Sequence, residues 1–238
     1  MISRILHEDN HLLVFNKLPG EIVQGDKSVD VPLVDRLKEY IKAKYDKPGN
    51  VFLGVVHRLD RPASGAVLFA RTGKALGRMN GMLREGTIQK IYWAVVKNRP
   101  VPESGHLVHF LRKNEAQNRS YVVNQEVQGS KRAELVYRLL HSGERYHLLE
   151  IELLTGRHHQ IRAQLATIGC PIKGDIKYGF PRTNEDGSIH LHARRIEFQH
   201  PISKEVIRIE APPPEDPLWV FFSQQSAVSS RTIEQLNN

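Results

Sequence analysis

Residues 52–70, FLGVVHRLDRPASGAVLFA, set two apolar runs, Phe52–Val56 and Ala66–Ala70, on either side of a charged connection. Each run has the length and the unbroken apolar character of a buried strand. Pro62 and Gly65 interrupt the regular backbone between them. The connection therefore carries His57, Arg58, Asp60 and Arg61 on a short loop between rigid strands, a placement that suits groups that do chemistry. Asp60 is flanked by Arg58 and Arg61, and a guanidinium beside an Asp favours the ionised carboxylate, which can serve as nucleophile or base. The same residues can also be read as an Asp that caps a turn, with arginines pairing it at the surface.

Outward from this run, Ile2–Leu6 and Leu12–Asn16 read as short strands around the polar turn at Glu8–His11. Val31–Tyr45 reads as an amphipathic helix with Val34, Leu37, Tyr40, Ile41 and Tyr45 on one stripe. Asp30 is its expected cap and Pro32 stands in its first turn. Thr72 opens another helix, with Leu76, Met79 and Leu83 inward. Strands follow at Ile88–Val96, Glu134–Leu140, Tyr146–Leu154, Leu191–Phe198 and Glu205–Ile209, with a helix near Arg157–Thr167. Arg112–Ser120 and Lys173–Gly187 read as exposed loops. Helices punctuate a strand-rich chain without βαβ alternation, so the expected class is α+β with a mixed, mainly antiparallel sheet. No internal repeat or linker divides residues 1–222, which are expected to form one domain ending in a short helix at Leu218–Phe222. The polar segment 223–238 is expected to fray as a flexible tail.

Composition narrows the class of partner. The 34 Lys and Arg outnumber the 26 Asp and Glu, leaving +8 with twelve His counted as neutral. Such a surplus favours polyanions, because each cation that meets a phosphate releases condensed counterions. Cys170 is the single cysteine, which excludes a disulfide framework and a multi-cysteine metal site and predicts a buried, inert thiol. The first twenty residues carry Arg4, Glu8, Asp9 and Lys17 with no signal-peptide core, and no apolar run approaches the ~20 residues that span a bilayer. A soluble, cytoplasmic protein is expected.

Two further runs carry reactive side chains. Thr155-Gly156-Arg157-His158-His159-Gln160-Ile161-Arg162 gathers donors for phosphate or carboxylate around one helix turn, with His158 and Arg162 on a shared face. It can also be a solvated basic helix end. In Gln89-Lys90-Ile91-Tyr92-Trp93-Ala94-Val95-Val96, strand alternation puts Lys90, Tyr92 and Ala94 on one face and Ile91, Trp93 and Val95 on the other. Tyr92 is a candidate for base stacking or proton transfer, or a core aromatic with its hydroxyl satisfied.

Taken together, these runs resemble the signatures of RluA-type RNA pseudouridine synthases. His57-Arg58-Leu59-Asp60, followed by Ser64-Gly65, is similar to the family's HRLD-x-x-T-S-G, with Ala63 at the usual Thr. Gly156-Arg157-His158-His159-Gln160-Ile161-Arg162 resembles G-R-x-H-Q-[IL]-R, and Lys90-x-Tyr92-x-Ala94 resembles K-x-Y-x-A. Asn16-Lys17 with Pro19-Gly20 is similar to N-K-P-x-G, with Leu18 inserted. Pro171-Ile172-x-Gly174-Asp175 and Leu191-His192-Ala193 match the later P-I-x-G-D and L-H-A segments. The matches run in order over residues 5–210. No added N-terminal RNA-binding domain of the kind some relatives carry is expected, since the pattern begins almost at Met1.

The resemblance implies the pseudouridine synthase fold and isomerisation of uridine in structured RNA, rRNA or tRNA, with no cofactor and no metal. Asp60 is implied as the nucleophile on a flipped-out uridine, through C6, C1′ or a glycal route. Arg162 is implied as its partner, and Tyr92 as the residue stacking on the base. Arg58 would fill the gap left by flipping, with His57, Arg61, Lys90, Arg157 and His159 as further RNA-facing groups. No obligate protein partner is expected. Two rival readings remain: a non-catalytic RNA-binding module, and a metal-dependent hydrolase built on His190-x-His192 and His57-x-x-Asp60.

Overall fold

Strand β1 (Ile5–Glu8) follows a single 3₁₀ turn at Ile2–Arg4 and is paired antiparallel to β2 (Leu12–Lys17). Helix α1 (Leu33–Lys44), the short β3 (Gly54–Val55), β4 (Ser64–Ala70), α2 (Gly73–Glu85) and β5 (Gln89–Val96) come next. The second half holds β6 (Ser104–Asn114), β7 (Arg119–Val123), β8 (Ser130–Ser142), β9 (His147–Leu153), α3 (Gln160–Thr167), β10 (Leu191–Gln199), β11 (Val206–Glu210) and α4 (Pro217–Leu236). This computed structural model describes residues 1–25, 29–123 and 125–236. The chain divides into two compact units, one of residues 1–91 and 192–212, the other of residues 92–191 and 213–238.

In the first unit the strands run in the order β1-β2-β4-β10, with β3 on β4 and β11 on β10. Most pairs are antiparallel; β4 and β10 are parallel, with His192 opposite Ser64 and Ala193 opposite Gly65. The sheet is therefore mixed, as expected. Every residue of β2 and β4 is buried, because both faces of the sheet are covered. Leu12, Val14, Ala66 and Leu68 join Ala75 and Met79 of α2 in one core. Leu13, Phe15, Val67 and Phe69 join Leu33, Val34, Leu37 and Ile41 of α1 in another. Helix α2 starts where Thr72 accepts the Ala75 N–H (3.1 Å) and stops at Gly86, which is left-handed.

In the second unit the order is β5-β9-β8-β6-β7. Trp93 and Val95 share one core cluster with Leu148, Trp219 and Phe222, in line with strand alternation. Leu111, Ala133, Ala163 and Tyr178 form a smaller cluster.

Several expectations are corrected. Helix α1 begins at Leu33 behind Pro32 with no side-chain cap; Asp30 instead pairs with Arg61 at 2.6 Å. The first strand starts at Ile5 rather than Ile2, and the strand expected at Phe52–Val56 shrinks to Gly54–Val55, with Phe52 half exposed. Arg112–Ser120 is not an open loop but the tip of the β6–β7 hairpin. The polar segment after Phe222 continues α4 to Leu236; it holds no Gly or Pro to stop the helix, and Asn237 and Asn238 lie outside the described residues. None of the described helices is long and apolar enough to cross a membrane.

Candidate active site

The loop that carries Asp60 is held from below by a buried cation. Lys17, the last residue of β2, is fully buried. Its Nζ donates to the carbonyls of Leu18 (3.1 Å), Arg61 (3.0 Å) and Ala63 (2.6 Å). Three donors meet three acceptors, so the ammonium is fully used. Burial lowers the Lys17 amine to about 8, while the negative charges of Glu21 and Asp60 pull it back up. Gly20 N–H donates to the Arg61 carbonyl (2.8 Å) and Ala63 N–H to that of Asp60 (3.1 Å). Leu59 packs against the α1 core. The loop is thus held through its own backbone groups, and it carries Asp60, half-buried.

The two departures from the family pattern have structural answers. Ala63 lacks a hydroxyl, yet its side chain is buried and its backbone N–H and C=O are both engaged. The inserted Leu18 has its N–H on Glu21 Oε2 (2.9 Å) and its carbonyl on Lys17. Glu21 is itself clamped by Arg4 and Arg36, both at 2.8 Å.

The loop enters β4 through Ser64, whose Oγ lies 2.8 Å from His192 Nδ1. His192 Nε2 lies 3.0 Å from the Ala211 carbonyl, which can only accept, so Nε2 carries the proton and Nδ1 accepts from Ser64. Burial holds His192 down at about 4 and hence neutral. Gly65 has φ +116°, and a Cβ there would sit 2.4 Å from the backbone N and O of Ala193. Only glycine permits this close approach of β4 to β10.

The other candidates of this unit differ in exposure. Arg58 is exposed, and Arg61 is exposed and paired with Asp30. His57, expected to face RNA, turns inward: its Nε2 accepts the Leu68 N–H (3.3 Å), and burial, then Lys90, lower it to about 4. Lys90 is half-buried, and burial lowers its amine.

In the second unit, helix α3 starts three residues later than expected. His159 is left-handed (φ 53°), so His158 precedes the helix and does not share a face with Arg162. Gln160 organises the entry: its Oε1 accepts from Thr155 Oγ1 (2.8 Å) and Arg157 N–H (2.9 Å), and its Nε2 donates to the Glu134 carbonyl (2.9 Å). Arg157 stays exposed, with Nε on the Arg132 carbonyl. His158 stacks on His159 with 3.8 Å between centroids. His159, also expected to face RNA, is buried with Nδ1 on the Tyr178 hydroxyl (3.0 Å). Arg162 is buried in a two-point pair with Asp175, Nε to Oδ2 at 2.7 Å and Nη2 to Oδ1 at 2.8 Å. Tyr92 is buried in β5. Lys17, Asp175 and Tyr178 were not singled out by chemistry in the sequence, where Lys17 and Asp175 stood only as letters in matching motifs; His192 was weighed only as a metal ligand.

The rival metal site finds no ligand set. His190 has Nε2 on Asp216 and Nδ1 on Asn184, both at 3.0 Å, and both nitrogens of His192 are engaged. Among the described residues no group of three His, Cys, Asp or Glu could hold a metal ion. Cys170 is buried and free, its thiol raised by burial.

A carboxylate-bearing loop held by a buried lysine lies in the first unit and a buried Arg–Asp fork in the second, in a chain of the α+β class. The family described as RNA pseudouridylate synthase matches residues 11–167, and the chain belongs to that family, as an RluA-like member. It is 34% identical over 214 residues to a protein of Vibrio cholerae named ribosomal large subunit pseudouridine synthase C, covering 87% of this chain and 65% of that one. The protein of the same name from Escherichia coli K12 is 36% identical over 219 residues, covering 87% of this chain and 66% of its own length. The chain thus spans about two thirds of these relatives. Human RNA pseudouridylate synthase domain containing 4 shares the fold with a TM-score of 0.77 at 23% identity, covering 95% of this chain and 94% of that one.

Proposed function

We propose that this chain isomerises uridine to pseudouridine in RNA, with Asp60 as the attacking carboxylate. Its relatives are named for the large ribosomal subunit, and we infer ribosomal RNA as the substrate class and the cytoplasm as the place of work. The observation that carries the reading is the Asp60 loop, a carboxylate on a backbone fixed by three Lys17 hydrogen bonds. The reaction breaks the N1–C1′ bond, turns the base and forms a C5–C1′ bond, after which the C5 proton leaves. It requires a group that attacks and departs again, which a carboxylate does, and a site that keeps the loose base in place.

Arg162 orients Asp60 and keeps it ionised. Tyr92 stacks on the base. Arg58, exposed at the head of the loop, fills the space vacated by the flipped uridine. Arg61, Lys90 and Arg157 neutralise phosphates. We read residues 1–222 as one catalytic domain.

The test is an Asp60→Asn variant with large-subunit rRNA from the same cell. Pseudouridine formation is expected to vanish while RNA affinity stays within about threefold, since the contacts of the basic residues with phosphates supply most of the affinity. Product formation by the variant would overturn the reading. Chelation of metals is expected to leave the wild-type rate unchanged.

A further inference from the structure

We propose that Asp175 and Tyr178 are positioning residues that fix the direction of the Arg162 guanidinium. This rests on the reading that Arg162 serves Asp60. An arginine side chain is long and rich in rotamers, and a carboxylate partner needs its fork at a set angle. Asp175 supplies the constraint: its two oxygens take Nε and Nη2, so the side edge of the fork and the plane of the group are both set. Asp175 is itself held. Its backbone N–H donates to the Ile172 carbonyl (3.0 Å), and its carbonyl accepts from Tyr178 (3.1 Å) and Phe180 (3.0 Å). The preceding Gly174 has φ +86°, and a Cβ there would meet the Ser188 carbonyl at 2.6 Å. The motif Pro171-Ile172-x-Gly174-Asp175, otherwise without a task, thus delivers one carboxylate to one guanidinium.

Tyr178 supplies the second constraint. Its ring centroid is 5.0 Å from the Arg162 guanidinium carbon and 4.9 Å from that of Arg119. The hydroxyl accepts the Ser120 N–H (2.9 Å), donates to the Ser120 carbonyl (3.0 Å) and meets His159 Nδ1 (3.0 Å). One phenolic proton satisfies this set when His159 donates from Nδ1. Through this one hydroxyl the ring is tied both to β7 and to the entry of α3. A buried ion pair can be purely structural, and then its loss appears in stability alone. A positioning pair appears in kcat, because a displacement of about 1 Å at a reacting centre costs on the order of 100-fold.

The experiment compares Asp175→Asn, Tyr178→Phe, Arg162→Lys, Arg162→Ala and the Asp175→Asn/Arg162→Lys double variant for rRNA affinity, turnover and melting. Asp175→Asn is expected to lower kcat about 30-fold with KM and RNA affinity within about twofold, and to lower it less than about threefold when Arg162 is already Lys. Tyr178→Phe, which keeps the ring and loses the hydroxyl, is expected to lower kcat about fivefold at unchanged affinity. A folded Asp175→Asn protein with kcat within twofold of wild type overturns the proposal. If that variant does not fold, unchanged kcat in Tyr178→Phe overturns it instead. Full activity of Arg162→Lys together with Arg162→Ala sinks the underlying reading of Arg162, and is distinct from either result.

Discussion

At the residue scale, Lys17 shows how a charge can serve as a structural bolt. Replacing it by Met leaves the Leu18 and Ala63 carbonyls without this donor, while the Arg61 carbonyl keeps the Gly20 N–H. At roughly 1 kcal/mol or more for each group left unpaired, the loss is about 2 kcal/mol. A urea titration of Lys17→Met is expected to show this loss, and the loop carrying Asp60 to lose its geometry with it. Gly65→Ala is the sharper case, since a Cβ would press on the Ala193 backbone at 2.4 Å in a left-handed conformation. A cost of about 3 kcal/mol or more is expected from overpacking and strain together, read from the same titration. Asp60, Tyr92 and Arg162 stand out in the sequence as candidates because the spacing of their three motifs is distinctive. That His57 and His159 face inward could not, since histidine suits an RNA surface and a buried hydrogen bond equally well, and only the positions of Leu68 N–H and the Tyr178 hydroxyl decide.

At the element scale, the parallel pair β4–β10 is fastened by the neutral His192 between Ser64 and Ala211. Its folded value of about 4 lies below the ordinary 6.5, so between these limits the unfolded chain binds the proton and the folded one does not. The stability this group contributes is full above pH 6.5 and is lost as pH falls toward 4. At 1.36 kcal/mol per unit the loss is on the order of 3 kcal/mol. The urea midpoint is expected to fall across this window, and to fall less in His192→Gln, whose amide can still reach the Ala211 carbonyl. Strands β2 and β4 were legible because both their faces are covered and their sequences are largely apolar runs. The β6–β7 hairpin was not, because most of its residues around the turn are exposed and charged, and cross-strand backbone bonds rather than an apolar stripe hold it. The late start of α3 escaped for a similar reason: Gln160 reaches back across its own entry, a side-chain bond that no periodicity reports.

At the scale of the whole molecule, the net charge of +8 sets the response to salt. With about four phosphates neutralised, affinity for rRNA is expected to fall on the order of 100-fold between about 50 and about 200 mM salt, with a linear log–log plot in a filter-binding series. A flat plot would separate this chain from an RNA enzyme. The α+β class followed from the absence of βαβ alternation, whereas the division into two compact units escaped it, since two of the boundaries fall inside the strands β5 and β10. The double burial of β2 has its own consequence. Leu12 and Val14 belong to one core, Leu13 and Phe15 to the other, so the strand has a reading frame. One residue gained or lost between positions 12 and 17 would exchange the tenants of both cores at a stroke. The extra Leu18 comes directly after the last paired residue, Lys17, where parity has ceased to matter, so insertions are tolerated there and excluded a step earlier.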